Sequence, residues 1–365
     1  MDARTLRIAL VGPLPPPAGG IPNQTAQLAR LLREEGLQVE VVRMNAPYRP
    51  AWAGRLRGLR AAFRLAPYAL KLWQAAARAD VMHVMANSGW SWHLFAAPAV
   101  WIGAALGVPV VVNYRGGAAE ELLARSAWLV RPTLARASAV IVPSGFLRDV
   151  FERFGVGCSV VPNVVDTSRF RVGPAKASAA PHIVVARNLE DIYDNATALR
   201  AFAAVRRLHS AARMTLAGSG PEEGPLRRLA AALGVADAVA FPGRLAHADM
   251  ANLYATADIV LNASRVDNMP NALLEAMAAG VPVVSSAAGG IPYIVTHEVS
   301  GLLTAPGDAA AMAAAMRRVL DEPALAAALR AGGLHGVQRY TWEAVRPQLL
   351  EVYERLAQGR QMVTS

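Results

Sequence analysis

The chain has 365 residues, enough for about two domains, and its 37 lysines and arginines against 27 acids give a net charge of +10. A single cysteine, Cys158, excludes an internal disulfide and fits a reducing cytoplasm, and seven scattered histidines with no pair at ligand spacing argue against a metal centre. Hydrophobic residues reach 54%, yet the longest apolar run, residues 94–112, is interrupted by Pro98, Gly103, Gly107 and Pro109 and reads as a buried helix, a turn and a strand rather than a membrane span.

In chain order, a strand is expected over 7–11, beginning so early that it leaves no room for a signal peptide. The turn from Gly12 to Pro22 follows, with Gly19 and Gly20 ahead of a helix near 23–35. Glycines let the backbone approach a ligand, but any tight strand-to-helix turn also uses them. Asn23 fits either a substrate contact or a helix cap. A second strand is expected over 38–43.

Residues 49–78 then carry Arg49, Arg55, Arg57, Arg60, Arg64, Lys71 and Arg78 and no acid. They account for much of the +9 balance of residues 1–170, whereas residues 171–365 hold only +1. On a helix, Arg57, Arg60, Arg64, Lys71 and Arg78 share one face. Leu56, Leu59, Phe63, Leu70 and Trp73 share the adjacent one, with Pro67 as a kink. A helix lying on an anionic membrane surface has this pattern, as does an amphipathic helix packed on its own domain with arginines in water. Nucleic acid is set aside as a partner, because the charge is local and no nucleic-acid motif accompanies it.

Further strands are expected over 81–85, 108–114 and 139–143. Arg115 sits in the turn after the second of these, where it could bond local carbonyls or pair with a phosphate or an acidic substituent. A Pro/Gly/Ala-rich linker is expected over 171–181, between a first domain at 1–170 and a second at 182–345, with a C-terminal helix at 346–365. The second domain resumes the alternation with strands over 182–186, 213–218, 238–241, 258–262 and 281–285. Alternating strands and helices imply α/β architecture, with parallel sheets covered on both faces.

The segment from Ser264 to Gly280 is the most informative. It places Asp267 just beyond a strand, Pro270 at the expected first position of a helix, Glu275 within that helix and Gly280 past its end. Open α/β sheets bind ligands at this end of their strands, and a helix N-terminus there suits phosphate. Glu275 could accept hydrogen bonds from a vicinal diol such as ribose. On pattern alone, a surface Asp and a solvated helix Glu fit equally well.

Asp267, seven intervening residues and Glu275 resemble the acid pair of the retaining glycosyltransferase family 4, although the usual first acid there is Glu. The resemblance covers nearly the whole chain: Gly19-Gly20, Val142-Pro-Ser144, Val161 to Asp166, Leu216 to Pro221, Phe241-Pro-Gly-Arg244, Gly289-Gly-Ile-Pro292, Gly301-Leu-Leu303 and Pro306-Gly-Asp308 stand in the expected order. It implies a GT-B fold of two Rossmann-like domains facing a central cleft, with a C-terminal helix returning to the first domain. It also implies retaining transfer of a sugar from a UDP- or GDP-linked donor to a glycan or polyprenyl-linked acceptor, without a metal or other cofactor and with front-face attack assisted by the leaving phosphate.

Carried onto this chain, Arg187 and the amides near Gly20 and Pro270 would hold the diphosphate and Glu275 the ribose. Asp267 with the amides of Asn268 and Met269 would orient the donor sugar. Gly19, Arg115, Gly218, Gly243, Arg244 and Asn271 complete the expected donor contacts. The basic segment 49–78 would bring the protein to the inner face of a membrane.

Two departures stand out. The lysine expected about five residues after Arg187 is absent from Asn188 to Asn195, so Arg244, Arg265 or Arg115 must compensate or activity is altered; Tyr293 replaces an expected Glu. The alternatives are a non-catalytic binding module of a polysaccharide assembly complex and a sugar-nucleotide epimerase.

Overall fold

The computed structural model describes residues 6–16, 19–47, 60–170, 172–173 and 180–364, and all that follows concerns these. The chain divides into two compact units, Met1–Asn163 with Val345–Ser365, and Val164–Ala344. The division thus falls between Asn163 and Val164 rather than at 170, and most of the expected linker 171–181 lies outside the described residues.

The first unit contains a six-stranded parallel sheet of order β2-β1-β3-β4-β5-β6. Its strands are β1 (Arg7–Gly12), β2 (Gln38–Arg43), β3 (Val81–Ala86), β4 (Val110–Tyr114), β5 (Ala139–Val142) and β6 (Ser159–Val160). β3 and β4 are buried along their whole length, as strands covered on both faces must be, and they read as apolar runs with one polar residue each, His83 and Asn113. The crossovers are α1 (Gly20–Glu34), α2 (Arg60–Arg78), α3 (Ala97–Ala105), α4 (Ala119–Leu134) and α5 (Gly145–Arg153). The run 94–112 resolves, as expected, into helix, turn and strand: a π-helical turn Trp92–Ala96 leads into α3, and β4 follows.

Helix α2 continues unbroken through Pro67. Its inner face, Tyr68, Leu72, Ala75 and Ala76, is buried in the core of its own unit. Phe63, Leu70 and Trp73 face out, at 36%, 60% and 49% exposure. Residues 49–59, with Arg49, Arg55, Leu56, Arg57 and Leu59, lie outside the described residues. Among the described residues no helix is long and apolar enough to cross a membrane.

The last helix, α12 (Trp342–Thr364), belongs to the first unit from Val345 onward. Arg346 donates to Glu35 at 3.1 and 3.2 Å, Arg360 donates to the Ala79 carbonyl at 2.7 Å, and Tyr353 is fully buried.

The second unit holds another six-stranded parallel sheet, of order β12-β11-β10-β7-β8-β9. Its strands are β7 (His182–Val185), β8 (Arg213–Ala217), β9 (Val239–Gly243), β10 (Ile259–Asn262), β11 (Val283–Ser286) and β12 (Leu302–Thr304). Helices α6 (Asn195–Arg206), α7 (Glu223–Ala232), α8 (His247–Thr256), α9 (Asn271–Ala278), α10 (Ala309–Asp321) and α11 (Pro323–Gly336) cover it. Two apolar clusters form its core. Each buried aliphatic side chain is worth about 1.5–3 kcal/mol relative to exposure. The strand order reverses between β7 and β10, so the crevice beyond their carboxyl ends is the topological switch point at which such sheets bind ligands.

Candidate functional site

Both flanks of that switch point carry a charged residue. Arg187 follows β7 and Asp267 follows β10, and the guanidinium and carboxylate form an ion pair, their side chains 12% and 14% exposed. Arg187 Nε also donates to Asn262 Oδ1 at 2.9 Å, and its guanidinium lies 5.1 Å from the Tyr193 ring centre, within cation–π range. Asn262 is itself fixed: Ser264 Oγ donates to its Oδ1 at 2.7 Å and its Nδ2 donates to Ser285 Oγ at 2.9 Å. Ser286 Oγ then donates to the Ser264 carbonyl at 2.6 Å, closing a buried polar layer beneath the arginine. A buried network with its members satisfied holds the guanidinium in one place.

Asp267 is held from a second side. The backbone amides of Asn268 and Met269 bond its carboxylate; burial pushes its pKa up, and Arg187 and these amides pull it back. The two amides serve the aspartate in a local turn of the kind Asp side chains form.

Glycines shape the surrounding loops. A Cβ on Gly290 would lie 1.8 Å from the Asn268 carbonyl oxygen, and one on Gly289, at φ +55°, would lie 2.3 Å from the Asp267 oxygen. Gly290 N–H donates to that Asp267 carbonyl at 2.7 Å. Gly218 answers a similar need, since a Cβ there would meet the Arg187 carbonyl oxygen at 1.9 Å. Its lack of a side chain is required by contact between two protein loops.

Helix α9 begins at Asn271, with Pro270 at the cap position rather than in the first turn, and Gly280 at φ +67° closes it as expected. Met269 and Pro270 are buried, and the Leu273 amide donates to the Pro270 carbonyl at 3.0 Å in the first turn. Glu275 projects from α9, and its carboxylate accepts from Tyr254 Oη at 3.0 Å. Burial raises the Glu275 pKa to about 7, against the lowering effects of Tyr254, Arg187 and Arg169. Tyr254, on α8, is fully buried and packs edge-on to Phe170 with 5.9 Å between ring centres.

The structure therefore brings Arg187, Asp267 and Glu275 into one electrostatic neighbourhood, with Gly218 behind Arg187. Gly243 and Arg244 stand at the carboxyl end of β9, the edge strand, with Gly243 at φ +76° and Arg244 exposed. Arg265, one of the cations considered in place of the absent lysine, is engaged elsewhere. It donates to Asp191 at 3.0 and 3.1 Å and to Asp194 at 3.3 Å. Tyr293 is 45% exposed, in the turn after Gly290. Among the described residues no group of three His, Cys, Asp or Glu side chains could hold a metal ion.

Sequence reasoning missed Asn262, Tyr193 and Tyr254. A polar residue closing an apolar strand was available as a signal for Asn262; neither tyrosine carries a local one.

In the first unit, Gly19 precedes α1 and Gly20 opens it, with space around the Cβ position of Gly20. Asn23 N–H donates to the Gly19 carbonyl at 3.0 Å within the first turn. Arg115 follows β4 and is bonded by side-chain amides rather than by local carbonyls alone. Its Nε donates to Asn113 Oδ1 at 3.1 Å, and its Nη1 donates to Gln24 Oε1 at 3.3 Å and to Asn163 Oδ1. Burial pushes its pKa down to about 10.

Comparison with known proteins bears on the fold and the family. The family described as Glycosyltransferase Family 4 matches residues 18–169, and Glycosyl transferases group 1 matches residues 167–334. A glycogen synthase of Mycobacterium tuberculosis is 29% identical over 306 residues, covering 77% of this chain and 70% of that protein. A D-inositol 3-phosphate glycosyltransferase of Saccharomonospora viridis is 33% identical over 206 residues, 52% of this chain and 48% of the relative. A GDP-mannose-dependent alpha-(1-6)-phosphatidylinositol monomannoside mannosyltransferase of M. tuberculosis is 29% identical over 287 residues, 69% of this chain and 74% of its own length.

Among solved structures, the sucrose-phosphate synthase of Thermosynechococcus elongatus superposes with a TM-score of 0.74 at 23% identity, over 96% of this chain and 99% of that one. Anabaena HepE in complex with UDP-glucose gives 0.73 at 20% identity, over 96% and 100%. With two six-stranded parallel sheets, matches spanning both units and an acid pair at the second sheet's switch point, the chain belongs to glycosyltransferase family 4 and has its GT-B fold.

Proposed function

We propose that this protein is a retaining, metal-independent glycosyltransferase that moves a sugar from a UDP- or GDP-linked donor to a glycan or polyprenyl-linked acceptor. The observation that carries this reading is the Arg187–Asp267 pair at the switch point, with Glu275 one helix turn beyond the start of α9. Arg187 is preset by Asn262 and Tyr193, so it can neutralise a diphosphate at little cost in reorganisation. The α9 N-terminus adds the positive end of a helix dipole. The Glu275 carboxylate, anchored by Tyr254 through one oxygen, has its other oxygen for a ribose hydroxyl. Asp267 stays oriented toward the donor sugar, because its bonds from Arg187 and two amides offset the rise in pKa that burial causes.

No protein nucleophile is assigned. The leaving phosphate serves as base, and the Arg187 cation stabilises its growing charge. In the first unit, Gly19, Gly20 and Arg115 are assigned to anionic groups of the substrates. The exposed Phe63, Leu70 and Trp73 of α2, on the segment that carries the basic excess, support peripheral contact with an anionic membrane at its cytoplasmic face.

A non-catalytic binding module is the competing reading. It is favoured by one observation: the stretch 188–195 supplies acids that engage Arg265 instead of a second cation. Slow hydrolysis of the donor in water separates the two. UDP-glucose and GDP-mannose are incubated with the full chain, and the released sugar is followed by proton NMR before mutarotation. A first-formed α-anomer supports the retaining transferase; release of the β-anomer contradicts it. No release from either donor or from further nucleotide sugars, alongside measurable UDP or GDP binding, points to the binding module.

A further inference from the structure

A buried polar chain crosses the first unit from the C-terminal helix to the end of β4. Tyr353 Oη on α12 lies 2.6 Å from His83 Nδ1 in the middle of β3. His83 Nε2 lies 3.0 Å from Asn113 Nδ2 on β4, and Asn113 Oδ1 accepts from Arg115 Nε at 3.1 Å. His83 is fully buried and Asn113 is 1% exposed, both inside otherwise apolar strands. A central strand residue of this kind is costly unless each polar atom is bonded.

The direction of the chain follows from its arginine end. Arginine has donors only, so the Asn113 oxygen must face it and the Asn113 NH2 must face His83. His83 Nε2 is then an acceptor, which leaves its proton on Nδ1, donated to Tyr353. Every link points the same way, from Arg115 to α12. Burial, and after it the charge on Arg115, push the His83 pKa down to about 3, consistent with a neutral ring in a single tautomer.

We propose that Tyr353 and His83 are positioning residues, through which the docked C-terminal helix fixes the orientation of the Arg115 guanidinium. Tyr353 accepts the His83 proton and locks the ring; the ring locks the Asn113 amide; the amide oxygen, with Gln24 and Asn163, aims Arg115. For function this rests on the reading of Arg115 as the contact to an anionic substrate group; for structure it does not.

The full chain, labelled with 15N at histidine and arginine, tests the relay by NMR without any ligand. The expected wild-type spectrum shows His83 protonated at Nδ1 and the Arg115 Nε–H protected from solvent exchange. Tyr353→Phe removes the acceptor, so His83 shifts toward the Nε2–H form and Arg115 Nε–H exchange rises about tenfold, the weight of one lost hydrogen bond. Asn113→Asp serves as a second variant, because a carboxylate accepts from both neighbours. His83 then switches to Nε2–H while the Arg115 Nε–H stays protected. Wild-type signals in Tyr353→Phe, or an unchanged tautomer in Asn113→Asp, overturn the relay.

Titration of UDP and GDP into Arg115→Gln tests the substrate reading separately. Unchanged affinity for both, with the NMR shifts as expected, removes the role assigned to Arg115 on the nucleotide and leaves the relay standing.

Discussion

Nucleotide binding should be coupled to the ionisation of Glu275. Its pKa is raised to about 7, with burial as the main cause. A ribose diol donates to a carboxylate, so binding selects the ionised form. That form falls from roughly nine-tenths of the population at pH 8 to about one-tenth at pH 6, so affinity for UDP or GDP should drop about tenfold, or ~1.4 kcal/mol.

The sign for folding is opposite. A folded pKa above the unfolded value contributes stability that is present below about pH 4.5 and lost as pH rises through about 7. Glu275→Gln, which keeps shape and removes the charge, should therefore be more stable than wild type at pH 8, by on the order of 1–3 kcal/mol, while binding nucleotide more weakly. Its affinity should also lack this part of the pH dependence. Calorimetry at pH 6, 7 and 8 on both proteins is the assay, because titration of the nucleotide's own phosphate is common to both and cancels in the comparison. Equal affinities and parallel pH profiles for wild type and Glu275→Gln would refute the assignment of Glu275 to the ribose.

Arg187→Ala leaves Asp267 with its two backbone donors but no cation, and should cost about 3–5 kcal/mol in urea unfolding while weakening UDP or GDP binding tenfold or more. Wild-type stability in that variant would mean that the pair is not the anchor described. Gly290→Ala forces a Cβ to within 1.8 Å of the Asn268 carbonyl oxygen, so the Asp267 loop must shift. A loss of about 1–3 kcal/mol is expected together with reduced nucleotide affinity, and an unchanged melting temperature would contradict it. Leu70 and Trp73 are 60% and 49% exposed, so replacing both with Asp should spare the fold yet abolish co-sedimentation with vesicles rich in anionic lipid. Sedimentation at the wild-type level would exclude α2 as the membrane contact.

Much of the fold was legible because strands buried on both faces leave largely apolar runs such as 81–85, and glycines such as Gly280 mark helix ends. The acid pair was legible through the family resemblance, because its spacing alone fitted a surface Asp and a solvated helix Glu equally well. What spacing could not show was which neighbours the acids would meet. Asp267 pairs with Arg187, 80 positions earlier, and Glu275 with Tyr254, 21 positions earlier; those contacts exist only once β7, β10, α8 and α9 are assembled. Nor could spacing show that the amides of Asn268 and Met269 turn back onto the Asp267 carboxylate. Pro270 was placed one position too deep, since its ψ of 110° is extended and the helix starts after it. His83 reads in sequence as one polar interruption of an apolar strand, and nothing local points to its partner Tyr353 on the last helix.

The most direct test of the central claim is calorimetric titration of UDP and GDP into the purified full chain, with Arg187→Ala and Glu275→Gln alongside. The account predicts saturable binding of one nucleotide in preference to the other, weakened in both variants. Absence of binding by either nucleotide, or binding that both variants leave unchanged, would contradict a donor site at the β7–β10 switch point.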